Sequence, residues 1–504
     1  MTSEGAMSAV VPLPQEVVHF LQRPPPETML VRGLAGTGKT TFALTLLTAF
    51  PGRRIYVTSR VSRGELARDY PWLGSNGNSS ITVIDASART GSLRETARAL
   101  QNIKSYLVDG DPSAEGASLW MPAPLQEAWA LSRPDQPTMV VIDSWDALVE
   151  RYLGVPSPLS EGLPDRAEME RLVLDQLSRG PVHTVLVLER EAPSQLDYLV
   201  NGVLSTGRIS VEDRAERWLY LHKLRGVRLD NGSYPFTLEN ARFQCITPIQ
   251  PDFRPRLEPP EPEPDPQPGF LWPGSADFAT NFGRLSLGHI SLFETESGVP
   301  DAAIRLVFSP IVARVIQAGG RVFHVLAPQI SPQDVWELYR PLIPETTFRH
   351  QVRIQSPGPL DGREGSELAG VLLPMPQAED SSSHSRTPEA LRFLREGART
   401  GAPNLSIVWV AGLNALGAIT GSPYRPETLP AIALEYAAGT NIHEIFIGTS
   451  GDPLVESVRS MATTRLRFRS RSGRIFVYGT QPMTPPFVLT EGDGQRTYSL
   501  LRVV

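Results

Sequence analysis

The chain has one cysteine, Cys245, and three lysines, Lys39, Lys104 and Lys223, in 504 residues. A single thiol excludes an intramolecular disulfide framework and a cysteine-built metal site, in keeping with a reducing compartment. No run of about 18 uncharged apolar residues is present, so no transmembrane helix is expected. The opening MTSEGAMSAV lacks both the basic start and the apolar run of a secretory signal. A soluble, cytoplasmic protein with no membrane partner is the expectation. A net charge of -6 argues against a globally basic nucleic-acid binder, although a local patch is compatible with it. The eight histidines are scattered without metal-ligand spacing.

Proline is abundant, and its placement divides the chain. Residues 249–274, with the run EPPEPEPDPQPG, are rich in proline and acid and nearly empty of large apolar side chains, so they cannot bury a core of their own. The expected organisation is a tail at 1–13, a domain at 14–248, this linker, and a second domain at 275–504. In the first domain, short apolar runs at TMLVRGL, RRIYVTS, TMVVIDS and HTVLVLE alternate with helical patterns, which predicts a mostly parallel sheet flanked by helices. After Gly207, strands joined by short turns predict an antiparallel extension. The second half repeats the order: HISLFETESGVPDAAIRLVFSPI follows MLVRGLAGTGKTTFALTLL, LSIVWVAGLNALGAI follows TMVVIDSWDALVE, and HEIFIGTSGDPLVESVRS follows HTVLVLEREAPSQLDYLV. An internal duplication is expected.

The chemistry is concentrated in the first copy. GLAGTGKT, running Gly33, Leu34, Ala35, Gly36, Thr37, Gly38, Lys39, Thr40 and continuing to Thr41, has phosphate-loop spacing between a strand and a helix. The glycines let backbone amides approach phosphate oxygens, Lys39 supplies a cation for the outer phosphates, and the Thr40 hydroxyl can ligate magnesium. Asp143 ends an apolar strand, where a carboxylate can hold that magnesium or position water, although an aspartate ending any strand looks the same. Glu189 ends another strand and could orient a nucleophile. Lys223 and Arg225 flank one residue in LHKLRG, and in an extended strand would point to one side.

These motifs resemble the RecA superfamily, and within it the branch of the clock ATPase KaiC: GLAGTGKTTFALTLL, VVIDSWDAL, VLVLER, and KLRG followed by YPFTL. The resemblance covers nearly all of 14–248 and implies a tandem α/β RecA-like fold binding ATP and Mg2+ at Gly33–Thr41 and Asp143. It also implies a homo-oligomer, often a six-membered ring, in which Lys223 and Arg225 reach the neighbour's nucleotide. The family's strand-end glutamates are replaced by Ser59 and Arg60, so hydrolysis of ATP to ADP and phosphate is expected to be slow or absent. The TSRVS form, the tandem layout and the arginine-rich segments look most like the GvpD family of regulatory P-loop proteins from gas-vesicle clusters.

The second copy reads as degenerate. ETESGVPDAA has no lysine and several acids where the phosphate loop should recur, Ala411 stands where Asp143 should, and GTQP replaces KLRG. Its distinctive feature is Arg465, Arg467, Arg469 and Arg471 at alternate positions, facing one way in a strand. They could contact nucleic-acid phosphate, an acidic partner or a neighbouring nucleotide, or charge an edge strand against aggregation. The polar segment near Ser381 carries no motif. The expectation is an ATP-gated switch on a protein partner, a transcriptional regulator as the GvpD resemblance implies. The alternatives are a recombination-type DNA-dependent ATPase and a non-hydrolysing ATP-binding scaffold.

Overall fold

The computed structural model describes residues 10–24, 26–73, 81–87, 123–132, 136–153, 166–179, 182–248, 257–327, 330–355, 368, 370–373, 388–399, 401–410, 441–492 and 496–503. Lys104, Ala411 and the segment around Ser381 lie outside them. The chain divides into two compact units, Met1–Thr247 with Val503–Val504, and Pro248–Arg502.

In the first unit the strands are β1 Val10–Val11, β2 Thr28–Arg32, β3 Arg53–Thr58, β4 Ile81–Asp85, β5 Thr138–Asp143, β6 Val182–Leu188, β7 Gly202–Val211, β8 Arg214–Leu224, β9 Ser233–Thr237 and β10 Gln244–Ile246. They form one sheet in the order β1-β10-β9-β8-β7-β2-β6-β5-β3-β4. The run from β7 to β4 is parallel, and β8, β9, β10 and β1 extend it antiparallel. Strands β2 and β6 are buried along their whole length, as a parallel sheet covered on both faces requires. One face packs Met29, Val31, Val141 and Val187 against Phe42, Leu46 and Leu47 of the helix α2 Lys39–Ala49, which follows α1 Gln15–Leu21. The other packs Leu30, Val57, Ile142 and Leu186 against helices that follow α3 Arg63–Asp69: α4 Ala123–Leu131, α5 Trp145–Leu153 and α6 Arg166–Arg179. A short turn of helix, α7 Leu196–Leu199, leads from β6 to β7.

The second unit contains a small ladder of β11 Phe270–Leu271 with β12 Leu285–Ser286, and a second large sheet. The sheet strands are β13 Ile290–Thr295, β14 Val322–Val325, β15 Val352–Gln355, β16 Leu372–Leu373, β17 Asn404–Val410, β18 Ile442–Thr449, β19 Thr464–Arg471, β20 Arg474–Gln481, β21 Phe487–Glu491 and β22 Tyr498–Arg502, in the order β16-β15-β14-β17-β18-β13-β19-β20-β21-β22. From β15 to β22 this is the order of β4 to β10, strand for strand. The helices are α8 Ala276–Phe282, α9 Asp301–Gln317, α10 Pro332–Tyr339, α11 Glu345–Gln351, α12 Pro388–Ala398 and α13 Pro453–Arg459, with α9 in the place of α2.

Small details repeat with the topology. A Cβ on Gly52 would lie 2.0 Å from the Pro137 carbonyl oxygen, and one on Gly320 would lie 1.8 Å from that of Pro403. Two-residue turns with positive φ at both central residues, Glu212–Asp213 and Ser472–Gly473, close β7–β8 and β19–β20. In each, the following arginine, Arg214 or Arg474, donates back to the first turn residue's carbonyl, at 2.9 and 2.6 Å. The two units are therefore tandem copies of one RecA-like α/β fold.

The acidic proline-rich segment is anchored from residue 257 onward. The Glu258 amide donates to Thr497 Oγ1 at 3.0 Å, Glu261 accepts from the Ala276 amide at 3.0 Å, and Glu263 pairs with Arg284 and Arg314 at 2.5 and 3.1 Å. Its carboxylates thus supply docking contacts, and, against the expectation of a coreless linker, its Leu257, Leu271 and Trp272 are buried, Leu271 within the main hydrophobic cluster of the second unit.

Candidate functional site

The carboxyl ends of β2, β5, β6 and β3 lie side by side, and the loop of residues 33–38 connects β2 to α2. Gly33, Gly36 and Gly38 have φ of 155°, 73° and 92°. The amino end of α2 has no capping side chain and no acid in its first turn, so its amides and dipole are left for an anion. The Lys39 ammonium donates to the Leu34 carbonyl at 2.6 Å. Burial pushes it below the usual lysine range, with the Glu189 and Asp143 carboxylates pulling the other way. Thr37 Oγ1 bonds the Leu34 carbonyl and meets Thr206 Oγ1 of β7, each at 2.8 Å. Leu34 is 55% exposed at the rim, and Ala35 is exposed beside it. Thr41 turns from the loop towards Tyr70, hydroxyl to hydroxyl at 3.4 Å.

Thr40 and Asp143 are brought together: the threonine hydroxyl donates to Asp143 Oδ2 at 2.7 Å, and the Tyr56 phenol donates to the same oxygen at 2.7 Å. Burial and the adjacent Asp143 charge hold the Tyr56 phenol well above its usual range. A hydroxyl and a carboxylate in contact beside a glycine cradle and a lysine are a donor set suited to magnesium and a polyphosphate. Ser59 faces this strand end too, accepting from the Ser144 amide at 2.9 Å and donating to its carbonyl at 3.0 Å. Arg60 extends beyond it and pairs with Glu189 at 2.6 Å. The Glu189 amide donates to Asp146 at 2.9 Å.

The basic pair of β8 is divided. The Lys223 ammonium turns into its own domain, donating to the carbonyls of Asp197 and Val200 at 2.9 and 2.6 Å, while Asp197 also pairs with Arg32. Strand β8 ends at Leu224, so the strand alternation expected to carry Arg225 to the side of Lys223 does not reach it; Arg225 sits exposed in the turn that follows.

Three contributors were not singled out from the sequence. Tyr56 stands among β-branched residues of β3, Thr206 lies in β7, and Arg217 of β8 donates to the Gly36 carbonyl at 2.7 Å. A lone tyrosine in an aliphatic strand was the available signal for the first; the other two depend on which strand neighbours β2.

In the second unit the equivalent place is filled differently. Arg32 is opposite Leu188 and Ser205, and Glu294 is opposite Gly448 and Arg467, so the two are counterparts. Arg32 pairs with Asp197 of α7, whereas Glu294 pairs with Arg459 of α13 at 2.7 Å and with Arg467 at 3.2 Å. The ion pair is kept with its charges exchanged. Glu294 is thus neutralised within the fold. The arginine strand is also not an edge strand: β19 lies between β13 and β20, because β20, β21 and β22 continue the sheet past it. Arg465 bonds Gln481 at 2.5 Å, Arg467 bonds Glu294, Arg469 stacks on Phe476 at 5.3 Å, and Arg471 lies opposite Arg474.

Among the described residues no helix is long and apolar enough to cross a membrane, and no cluster of histidine, cysteine, aspartate and glutamate could hold a metal ion on its own.

Residues 17–223 match the family model of the GvpD gas vesicle protein, P-loop domain. Two relatives from Halobacterium salinarum are similar to about half of the chain: protein GvpD2, 32% identical over 241 residues, and protein GvpD1, 28% identical over 247 residues. These alignments cover 47% and 48% of this chain and 45% and 42% of the relatives, so the match spans less than half of either curated protein. Over residues 17–223 the chain is similar to the GvpD P-loop domain.

Proposed function

We propose that Gly33–Thr41 bind the phosphates of ATP, that Thr40 and Asp143 hold its magnesium ion, and that the bound nucleotide sets the protein's affinity for a protein partner, a transcriptional regulator as the GvpD likeness suggests. The observation that carries this reading is the 2.7 Å contact between Thr40 and Asp143 at the mouth of a glycine loop whose helix end is free of acid and side-chain cap.

Turnover on this reading is slow. Ser59 and Arg60 follow β3 where a water-activating carboxylate would stand, and Ser59 is bonded to Ser144. The nucleotide then acts as a held ligand that biases a conformational equilibrium. In a homo-oligomer Arg225, exposed in its turn, is the cation available to a neighbouring subunit, whereas Lys223 braces the β6–β7 connection beside Arg32 and Asp197.

The test is nucleotide affinity, phosphate release and molar mass of the full chain, with and without MgATP, beside Lys39→Ala. Tight binding with little phosphate release, lost in the variant, supports the switch. Unchanged binding in Lys39→Ala overturns the site.

A further inference from the structure

We propose that Arg60 distinguishes a nucleoside triphosphate from a diphosphate by exchanging its ion pair with Glu189 for the outermost phosphate. This rests on the assignment of Gly33–Thr41 as the phosphate site.

The sheet order here is β6-β5-β3. Arg60 follows β3 and Glu189 follows β6, two strand spacings or roughly 10 Å apart, yet the guanidinium and carboxylate meet at 2.6 Å. Their side chains therefore span the carboxyl end of β5, where Asp143 meets Thr40. Lys39 experiences the charges of Glu189, Asp143 and Arg60 together, so the three groups and the loop lysine form one electrostatic cluster. Glu189 is also coupled to the loop through its own strand end, because the next residue, Arg190, accepts from the Gly33 amide at 3.0 Å.

The pair is built to be exchanged. The Arg60 side chain is 54% exposed and that of Glu189 27%, and an ion pair so open to water is weakly held. A terminal phosphate offers a guanidinium two charges and three oxygens, against the single charge of a carboxylate, and accepts it in bidentate geometry. A diphosphate, ending one phosphate short, leaves Arg60 on Glu189. Triphosphate binding thus frees Glu189 and moves a cation over the site, a local change that reports the state of the nucleotide.

The experiment is titration of the full chain, in magnesium, with ADP and with a triphosphate whose β–γ bridge is an imido group, for wild type, Arg60→Ala, Arg60→Lys, Glu189→Gln, the Arg60→Ala/Glu189→Gln double variant and Lys39→Ala. Arg60→Ala is expected to weaken the triphosphate about tenfold or more and the diphosphate by no more than about twofold. Arg60→Lys retains part of the preference, because it keeps the charge without the fork. Glu189→Gln, which removes the competitor, tightens the triphosphate a few-fold, and this gain vanishes in the double variant. Equal effects of Arg60→Ala and Arg60→Lys on both nucleotides, or none on either, overturn the role of Arg60 while Lys39→Ala still abolishes binding. Retained binding in Lys39→Ala would instead remove the phosphate site itself.

Discussion

Thr40 and Asp143, 103 residues apart in sequence, meet at 2.7 Å, and the Asp143 oxygen that Thr40 reaches is also the one bonded by Tyr56. The carboxylate is oriented by two hydroxyls before any cation arrives. Asp143→Asn keeps the shape and removes the charge. It is expected to reduce the gain in ATP affinity conferred by magnesium by about tenfold or more, measured as the ratio of dissociation constants with the metal and with a chelator. A ratio equal to that of wild type would contradict the magnesium assignment.

The loop glycines differ in what surrounds them. A Cβ on Gly33 would lie 2.4 Å from the backbone oxygen of Thr206, in the neighbouring strand, whereas at Gly36 nothing lies within 4 Å. Gly33→Ala must push β7 away from the loop and is expected to cost several-fold more stability than Gly36→Ala, whose penalty is the left-handed backbone alone, about 1–2 kcal/mol. Chemical denaturation of both variants checks the order.

Glu294 is 2% exposed between Arg459 and Arg467. Burial opposes its ionisation, but the two guanidiniums outweigh that and hold its carboxyl below the usual range. Glu294→Gln removes the buried carboxylate that Arg459 and Arg467 share, leaving Arg459 its pairing with Glu456, and is expected to destabilise the second unit by about 2–3 kcal/mol, less than for a fully buried pair because the arginines keep contact with water. With a depressed folded-state value, the carboxylate's contribution is complete above its unfolded titration near pH 4.3 and is lost as pH falls through the lower folded value. The variant should therefore lose less stability than wild type when the pH is lowered below about 4.

His324 and His443 are fully buried. Burial, with the Arg305 charge adding to it, lowers His324 to about 3; burial lowers His443 to about 4 against the pull of the Ser286 carbonyl. Both stay neutral in the folded state where the unfolded chain takes up protons near pH 6.5. Unfolding thus binds protons, and stability falls as pH drops below about 6.5, by up to about 1.4 kcal/mol per pH unit for each histidine. His324→Phe should remove about 2 kcal/mol of the stability difference between pH 7 and pH 5. Denaturant midpoints of the two proteins at both values decide it.

The phosphate loop was legible because its information is local: glycines, lysine and threonine within eight consecutive residues, entered by an apolar strand and left by a helix. The meeting of Thr40 with Asp143 followed from the same logic, although β6 lies between β2 and β5, because the parallel strands of one sheet present their carboxyl ends on the same side. Tyr56, Thr206 and Arg217 were not legible, because no spacing in the sequence states that β7 lies against β2 or that β3 lies against β5. The edge-strand alternative for the arginine strand fails for a related reason. An alternating charged strand looks alike at an edge and inside a sheet, and only the three antiparallel strands beyond it decide which it is.

The sequence by itself determined that the chain is two copies of one α/β fold, that the first carries a glycine loop with a lysine and a magnesium-suited threonine and aspartate, and that the second lost those residues. These depend on residue type and short-range order. The tertiary structure alone decided that Arg60 reaches Glu189, that Lys223 turns inward while Arg225 does not, and that Glu294 and Arg459 keep the ion pair of Arg32 and Asp197 with its charges exchanged. Charged side chains have long reach and several rotamers, so their partners are set by which strand ends and helices the packed sheet brings within a few ångströms, and sequence distance carries no record of that.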